Sequence, residues 1–169
     1  MRTRRQAILA LLSCSTMLPA WPAAAEVGDR VRWEDVRLHD GRLLRAKELT
    51  GHTVVVEFWA TWCPFCKKQN PYVQRLHEQH GGKDLIVLTF SIDRDADAVA
   101  AYMKQHRYTF AAAMAGTQSE WWFPKRKGLP VVYVVDPKGR IVFHEAGELF
   151  EEDIIGLARF AGRKAESKG

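Results

Sequence analysis

Cysteine is scarce: the 169-residue chain holds three, Cys14, Cys63 and Cys66. That excludes a small scaffold stapled by several bridges, which needs more pairs closing longer loops. Long apolar runs are missing too. The stretch AILALLSCSTML near the N-terminus is shorter than the ~20 residues a spanning helix needs, and Pro19 and Pro22 interrupt the residues after it. No internal repeat and no low-complexity linker is present, and hydrophobic content is 47%, so neither a fibrous nor a disordered chain is indicated. A sustained basic face is also lacking. Lys67-Lys68 and Lys125-Arg126-Lys127 are short clusters of the kind found on solvated surfaces, so no nucleic-acid partner is expected.

What is present begins with a leader. MRTRRQ is basic, AILALLSCSTML is apolar, and PAWPAAA ends in Ala23-Ala24-Ala25. This is the pattern of a secretory signal peptide over residues 1–25, cut after Ala25, leaving residues 26–169 as the folded domain. Two variants fit less well. Thr3-Arg4-Arg5 is a twin-arginine start without the bulky residue that strengthens it, and Leu11-Leu12-Ser13-Cys14 is a lipid-attachment box after a short apolar run. Losing Arg2, Arg4 and Arg5 from 25 bases leaves an excess of two over the 20 acids, so the basicity is mostly targeting. Only Cys63 and Cys66 remain, in an oxidising compartment.

Periodicity suggests the organisation of the domain. VRLHDGRLLRA (36–46) alternates around the turn signal Asp40-Gly41 and reads as a hairpin. VVVEFW (54–59) suits a central strand. Residues 64–80 carry Phe65, Tyr72, Val73 and Leu76 among polar residues and stop at Gly81-Gly82, as an amphipathic helix does. Next come a strand over 85–92, a helix over 93–107, a strand over 109–115 and a helical turn over 117–123. Strands at 131–135 and 140–144 flank Asp136-Pro137-Lys138-Gly139, and a final helix spans 151–161. Alternating strands and helices imply an α/β sheet covered on both faces.

The pair Cys63–Cys66, with Pro64 and Phe65 between, admits three readings. With His77 and His80 it spells C-x2-C…H-x2-H, a superficial zinc pattern. On one helix, however, His77 lies roughly 16 Å from Cys66 at ~1.5 Å per residue, whereas zinc needs its ligands within about 2.0–2.3 Å. No metal is expected, and both histidines read as surface groups at a helix end that favours a partly cationic imidazole. A static staple over so short a loop restrains little unfolded-chain entropy. Redox chemistry has a mechanism. A sulfur at a helix N-terminus faces unpaired N–H groups and the positive end of the dipole, which lowers its pKa below ~8.5. Thiolate is the attacking species in disulfide exchange. Pro64 in the first turn lacks an N–H that would go unused there, and Cys66, one turn in, suits a resolving thiol.

VVVEFWATWCPFC is similar to the strand-turn-helix of thioredoxins. With a leader, and with extra helix-strand material before GLPVVYVVDPKGRIV, the chain resembles the TlpA/ResA/CcmG group of exported thioredoxin-like proteins across about residues 36–163. The resemblance implies a central mixed sheet flanked by helices, an N-terminal β-hairpin and a central αβ insertion. It implies Cys63 as nucleophile, Cys66 as resolving cysteine, and Glu57 as a buried acid beneath the pair. Burial would raise the Glu57 pKa and let it accept a proton from Cys66. Pro130 matches a cis-proline facing the pair, with Leu129 offering its backbone to an extended substrate segment. Trp62 would shield one side of the thiols, while Pro64 and Phe65 tune the loop. Trp121 and Trp122 are open between a client-binding surface and core or edge cover.

The implied activity is thiol-disulfide exchange on protein disulfides, as a reductant in settings such as cytochrome c maturation or metal-centre assembly. It needs no dissociable cofactor. The partners are protein clients and a membrane thiol-disulfide electron carrier, and a periplasmic monomer is expected. Three rivals stand beside this reading: a net oxidant with the same residues, a peroxidase and a Cu(I) or haem chaperone. A peroxidase pattern P-x-x-x-T-x-x-C fails because Ala60 holds the threonine place and Thr61 comes one residue late. Soft Cu(I) ligation finds no evident third ligand near the thiols, since Met103 and Met114 read as ordinary helix and strand residues.

Overall fold

The computed structural model describes residues 24–83, 85–124 and 126–161. The twin-arginine, lipid-box and most of the leader expectations fall outside those residues. Ala25, the expected last residue of the leader, is packed into the core and its N–H reaches the Pro124 carbonyl at 3.4 Å.

Two short strands, β1 (Val36–Arg37) and β2 (Leu43–Leu44), form the expected hairpin. Asp40 Oδ1 accepts the Arg42 N–H at 3.0 Å across the turn, and Gly41 takes φ 84°, which its missing Cβ allows. A one-turn helix, α1 (Ala46–Leu49), comes next; its length is too short for periodicity to reveal it. Then come β3 (Thr53–Trp59), α2 (Pro64–His80), β4 (Leu85–Ser91), α3 (Ala96–His106), β5 (Ala111–Met114), α4 (Thr117–Trp122), β6 (Val131–Val135), β7 (Ile141–Ala146) and α5 (Glu151–Gly156). The expected final helix tightens at Gly156 into a 3-10 turn over Leu157–Phe160. Asp95 caps α3 through the Asp97 N–H, so Asp93 and Arg94 precede that helix rather than begin it.

The main sheet has the order β5-β4-β3-β6-β7. β3, β4 and β5 run parallel, and β6 and β7 are antiparallel additions, so the sheet is mixed as the resemblance implies. Both outer strands have intramolecular company. The hairpin bridges Leu38 to Ala113 and donates the His39 N–H to the Ala112 carbonyl at 2.8 Å, covering β5. Residues 28–31 pair with the start of β7, where Gly139 (φ 77°) lies so close that a Cβ would meet the Val31 carbonyl oxygen at 2.8 Å.

β3 is buried along its whole length, so the strand's two-residue period divides the core. Val54, Val56 and Phe58 pack with Leu88, Phe90, Phe123 and Tyr133 on one face. Val55 and Trp59 pack with Val73, Leu76, Val99, Met103 and Ile154 on the other, under α2, α3 and α5. Glu57 shares the second parity. An acid therefore enters the apolar layer beneath α2.

Candidate functional site

β3 ends at Trp59, and the chain turns through residues 60–63 into α2. Asp93, just past β4, holds that turn. Its Oδ2 accepts the Thr61 N–H at 2.9 Å, its Oδ1 accepts the Thr61 hydroxyl at 2.6 Å, and Ser91 Oγ donates to Oδ2 at 2.5 Å. The Ile92 N–H completes the tie by donating to the Trp59 carbonyl at 2.9 Å. Nothing in the sequence marks Asp93 for this task, because its partner lies on a different strand's exit.

Cys63 occupies the N-cap of α2, and Pro64 takes the first turn where no N–H is needed. The Cys63 sulfur accepts the Cys66 N–H at 3.2 Å, so one of the helix's unpaired donors points at it. The two cysteines form a disulfide with Cα atoms 5.3 Å apart. Cys63 is 3% exposed and Cys66 is fully buried. The Cys63 sulfur thus lies against a backbone donor at the positive end of the helix dipole.

Glu57 is fully buried. Gln69 Nε2 donates to its Oε1 at 2.7 Å, while Oε2 has no hydrogen-bond partner among the described residues. Burial drives the carboxyl pKa up to about 8, and the Gln69 bond pulls the other way. The acid is therefore mostly neutral at pH 7 and ionisable just above it. Gln69 stands three residues beyond Cys66, on the same face of α2, which puts the acid under the cysteine-bearing turn.

That face departs from the apolar stripe read in the sequence. Phe65 is half exposed, whereas Gln69, Asn70 and Gln74 are buried. Gln74 is satisfied by Thr109, donating to its hydroxyl and accepting its N–H, both at 2.8 Å. Asn70 lies against the Tyr102 hydroxyl without hydrogen-bond geometry, and Glu57 acts on that hydroxyl electrostatically. The buried amides carry no apolar signature, although the i, i+3 spacing of Gln69 from Cys66 is a signal that could have singled it out.

On the far side, Pro130 is buried and the Leu129–Pro130 peptide is cis. β6 pairs Val131 with Phe58, so Pro130 arrives where β3 gives way to the cysteine turn. Leu129 is half-buried and touches both core layers. Trp62 is 62% exposed and Pro64 is exposed, so this turn presents an apolar rim to solvent. The tryptophan pair divides: Trp122 packs edge-on against Trp33 in the core, and Trp121 is 77% exposed.

Two expectations need correction. His77 is half-buried and desolvation pushes its imidazole pKa down, so the helix end holds it neutral rather than cationic. It sits in the last turn of α2, with the cysteines at the first. Arg126 is not a solvated base. Its guanidinium lies 3.7 Å from the Phe58 ring centroid, pairs with Glu120 and donates to the Phe123 carbonyl, anchoring the segment before Pro130. Its head fills a slot built by residues far apart in the chain, which no local pattern announces.

This geometry has two measurable outcomes. Glu57 binds a proton in the folded state between its ordinary pKa of 4.5 and about 8, where the unfolded chain has released it. Stability therefore falls as pH rises through that window. Denaturant titrations across pH should show the decline in the native sequence and its loss in Glu57→Gln. Asp93→Ala strands the Thr61 N–H and should cost about 2 kcal/mol, seen as a lower denaturation midpoint, together with faster alkylation of the reduced cysteines.

The Redoxin family model matches residues 26–156. The chain is 29% identical over 118 residues to the thiol-disulfide oxidoreductase ResA of a Bacillus cereus strain, covering 69% of this chain and 68% of that protein. It is 24% identical to the ResA of Bacillus subtilis (strain 168), over 68% of this chain and 64% of that one. In structure it resembles a thiol:disulfide interchange protein of the thioredoxin family from Chlorobium tepidum TLS, with TM-score 0.71, 20% identity, and coverage of 82% of this chain and 99% of the other. StoA from Bacillus subtilis aligns with TM-score 0.63 at 19% identity, covering 76% and 98%. With most of its length matched, the chain belongs to the Redoxin family, as a TlpA/ResA/CcmG-like thiol-disulfide oxidoreductase of the thioredoxin fold.

Proposed function

We propose that the protein is an exported, periplasmic reductant of selected protein disulfides, serving cytochrome c maturation or metal-centre assembly. The observation that carries the redox reading is the N-cap sulfur of Cys63 set against the Cys66 N–H, with the Glu57–Gln69 pair one turn below. Cys63 thiolate attacks a client disulfide, forming a mixed disulfide and expelling one client thiolate. Cys66 then gives its proton to the Glu57 carboxylate and attacks the Cys63 sulfur. The second client sulfur leaves, the client has gained two electrons, and the Cys63–Cys66 bridge has formed. A membrane thiol-disulfide carrier reverses the sequence: its thiolate takes Cys63, and the departing Cys66 sulfur recovers the proton from neutral Glu57.

Leu129 and Pro130 supply backbone for an extended client segment beside the pair. Trp62, Pro64 and Phe65 form the exposed apolar rim on which it rests. No dissociable cofactor enters any step, and the working unit is a monomer. Trp121 offers a separate exposed apolar contact on α4.

Three measurements test this. Cys66→Ala should accumulate a mixed disulfide through Cys63, and the trapped protein identifies the client. Glu57→Gln should slow resolution about 100-fold while first attack is nearly unchanged; equal slowing of both steps removes the acid from the relay. A reduction potential near about −270 mV supports reduction, whereas one near about −120 mV reverses the direction of flow.

A further inference from the structure

Gln69 makes two buried hydrogen bonds to groups far from it in sequence. Its Nε2 donates to Glu57 Oε1 at 2.7 Å, and its Oε1 accepts the Leu149 N–H at 2.7 Å. We propose that Gln69 is a positioning residue: locked by the Leu149 N–H, its amide keeps Glu57 Oε1 an acceptor and so places the acid's proton on Oε2. This rests on the reading of Glu57 as the group that exchanges a proton with Cys66, and adds which oxygen does so and what selects it.

The selection comes from donor and acceptor counting. A backbone N–H can only donate, so the Gln69 carbonyl oxygen must face Leu149. The NH2 group is thereby turned to Glu57. A flipped amide would set two donors against each other at Leu149 and is excluded. Facing a donor, Oε1 is favoured as the carbonyl oxygen of the neutral acid, the stronger acceptor of the two. That leaves the proton to Oε2, which is buried and has no hydrogen-bond partner among the described residues. When the proton leaves, Oε1 keeps the same bond, now charge-assisted, and no side chain has to turn. The proton thus moves at one fixed atom.

The bond also ties the acid to the segment before α5. Leu149 lies between Glu148, whose carboxylate is 3.8 Å from the Lys68 ammonium, and exposed Phe150.

Other groups around Glu57 leave the assignment intact. Thr89 of β4 and Val132 of β6 are its register partners. Tyr102 on α3 and Tyr108 beyond it feel its charge, but both phenols have raised pKa values, Tyr108 to about 12, and stay neutral while Glu57 titrates. The charged ends of Lys68 and Arg75 on α2 pair with Glu148 and Glu151 at the surface. In the disulfide form Cys66 has no proton, so Glu57 can be titrated without it.

The experiment is a carboxyl NMR titration of the full-length disulfide form, with the Glu57 signal assigned by its loss in Glu57→Gln. Gln69→Met removes the donor and should raise the Glu57 midpoint by about one unit. Gln69→Leu also lacks the donor, with a different side-chain shape, and should raise the midpoint in the same direction. This second variant serves if the first fails to fold. Unmoved midpoints in the folded variants overturn the proposal, since a merely structural amide would leave them unchanged. If the midpoint rises and the pH profile of the resolution step rises with it, both readings stand. If the midpoint rises while that profile stays put, Gln69 keeps its role and the Glu57 relay falls.

Discussion

The molecule depends on one costly arrangement, a carboxyl group buried in the middle of the sheet with no cation to balance it among the described residues. The sheet and the helices packed on it enclose Glu57, and its hydrogen bond there comes from a neutral amide. A charged form is expensive in that setting, so the group stays protonated well above the range of ordinary carboxyls. The same enclosure that supplies core stability holds this acid's pKa at about 8.

The N-terminus of α2 contributes the complementary half. The turn into the helix is held by Asp93 from the neighbouring strand, which leaves the Cys63 sulfur before the unpaired donors of the first turn. One sulfur is set against a backbone donor at the positive end of a helix, and an acid is set where negative charge is unwelcome.

Strands were legible in the sequence where a single signal decides them. β3, β4 and β6 are short β-branched runs, and the hairpin announces itself through Asp40-Gly41. The chemistry of the cysteine pair was legible for the same reason, since spacing and a leading strand are local. Hidden from a linear reading is whatever two distant segments make together. Gln69 reads as a polar surface residue until Leu149, 80 positions on, claims its carbonyl. Arg126 reads as one base in a run until Phe58 lies beneath it. The adjacent tryptophans could not be told apart because their fates depend on Trp33 and the direction of a six-residue helix. α1 is too short to show a period, and the burial of His77 reflects how the end of α2 meets the rest of the chain.

The hairpin has a consequence beyond its own few residues. By giving the β5 edge a partner from the same chain, it occupies backbone groups that would otherwise invite a stranger's strand. With that flank already taken, sticking between copies is discouraged there.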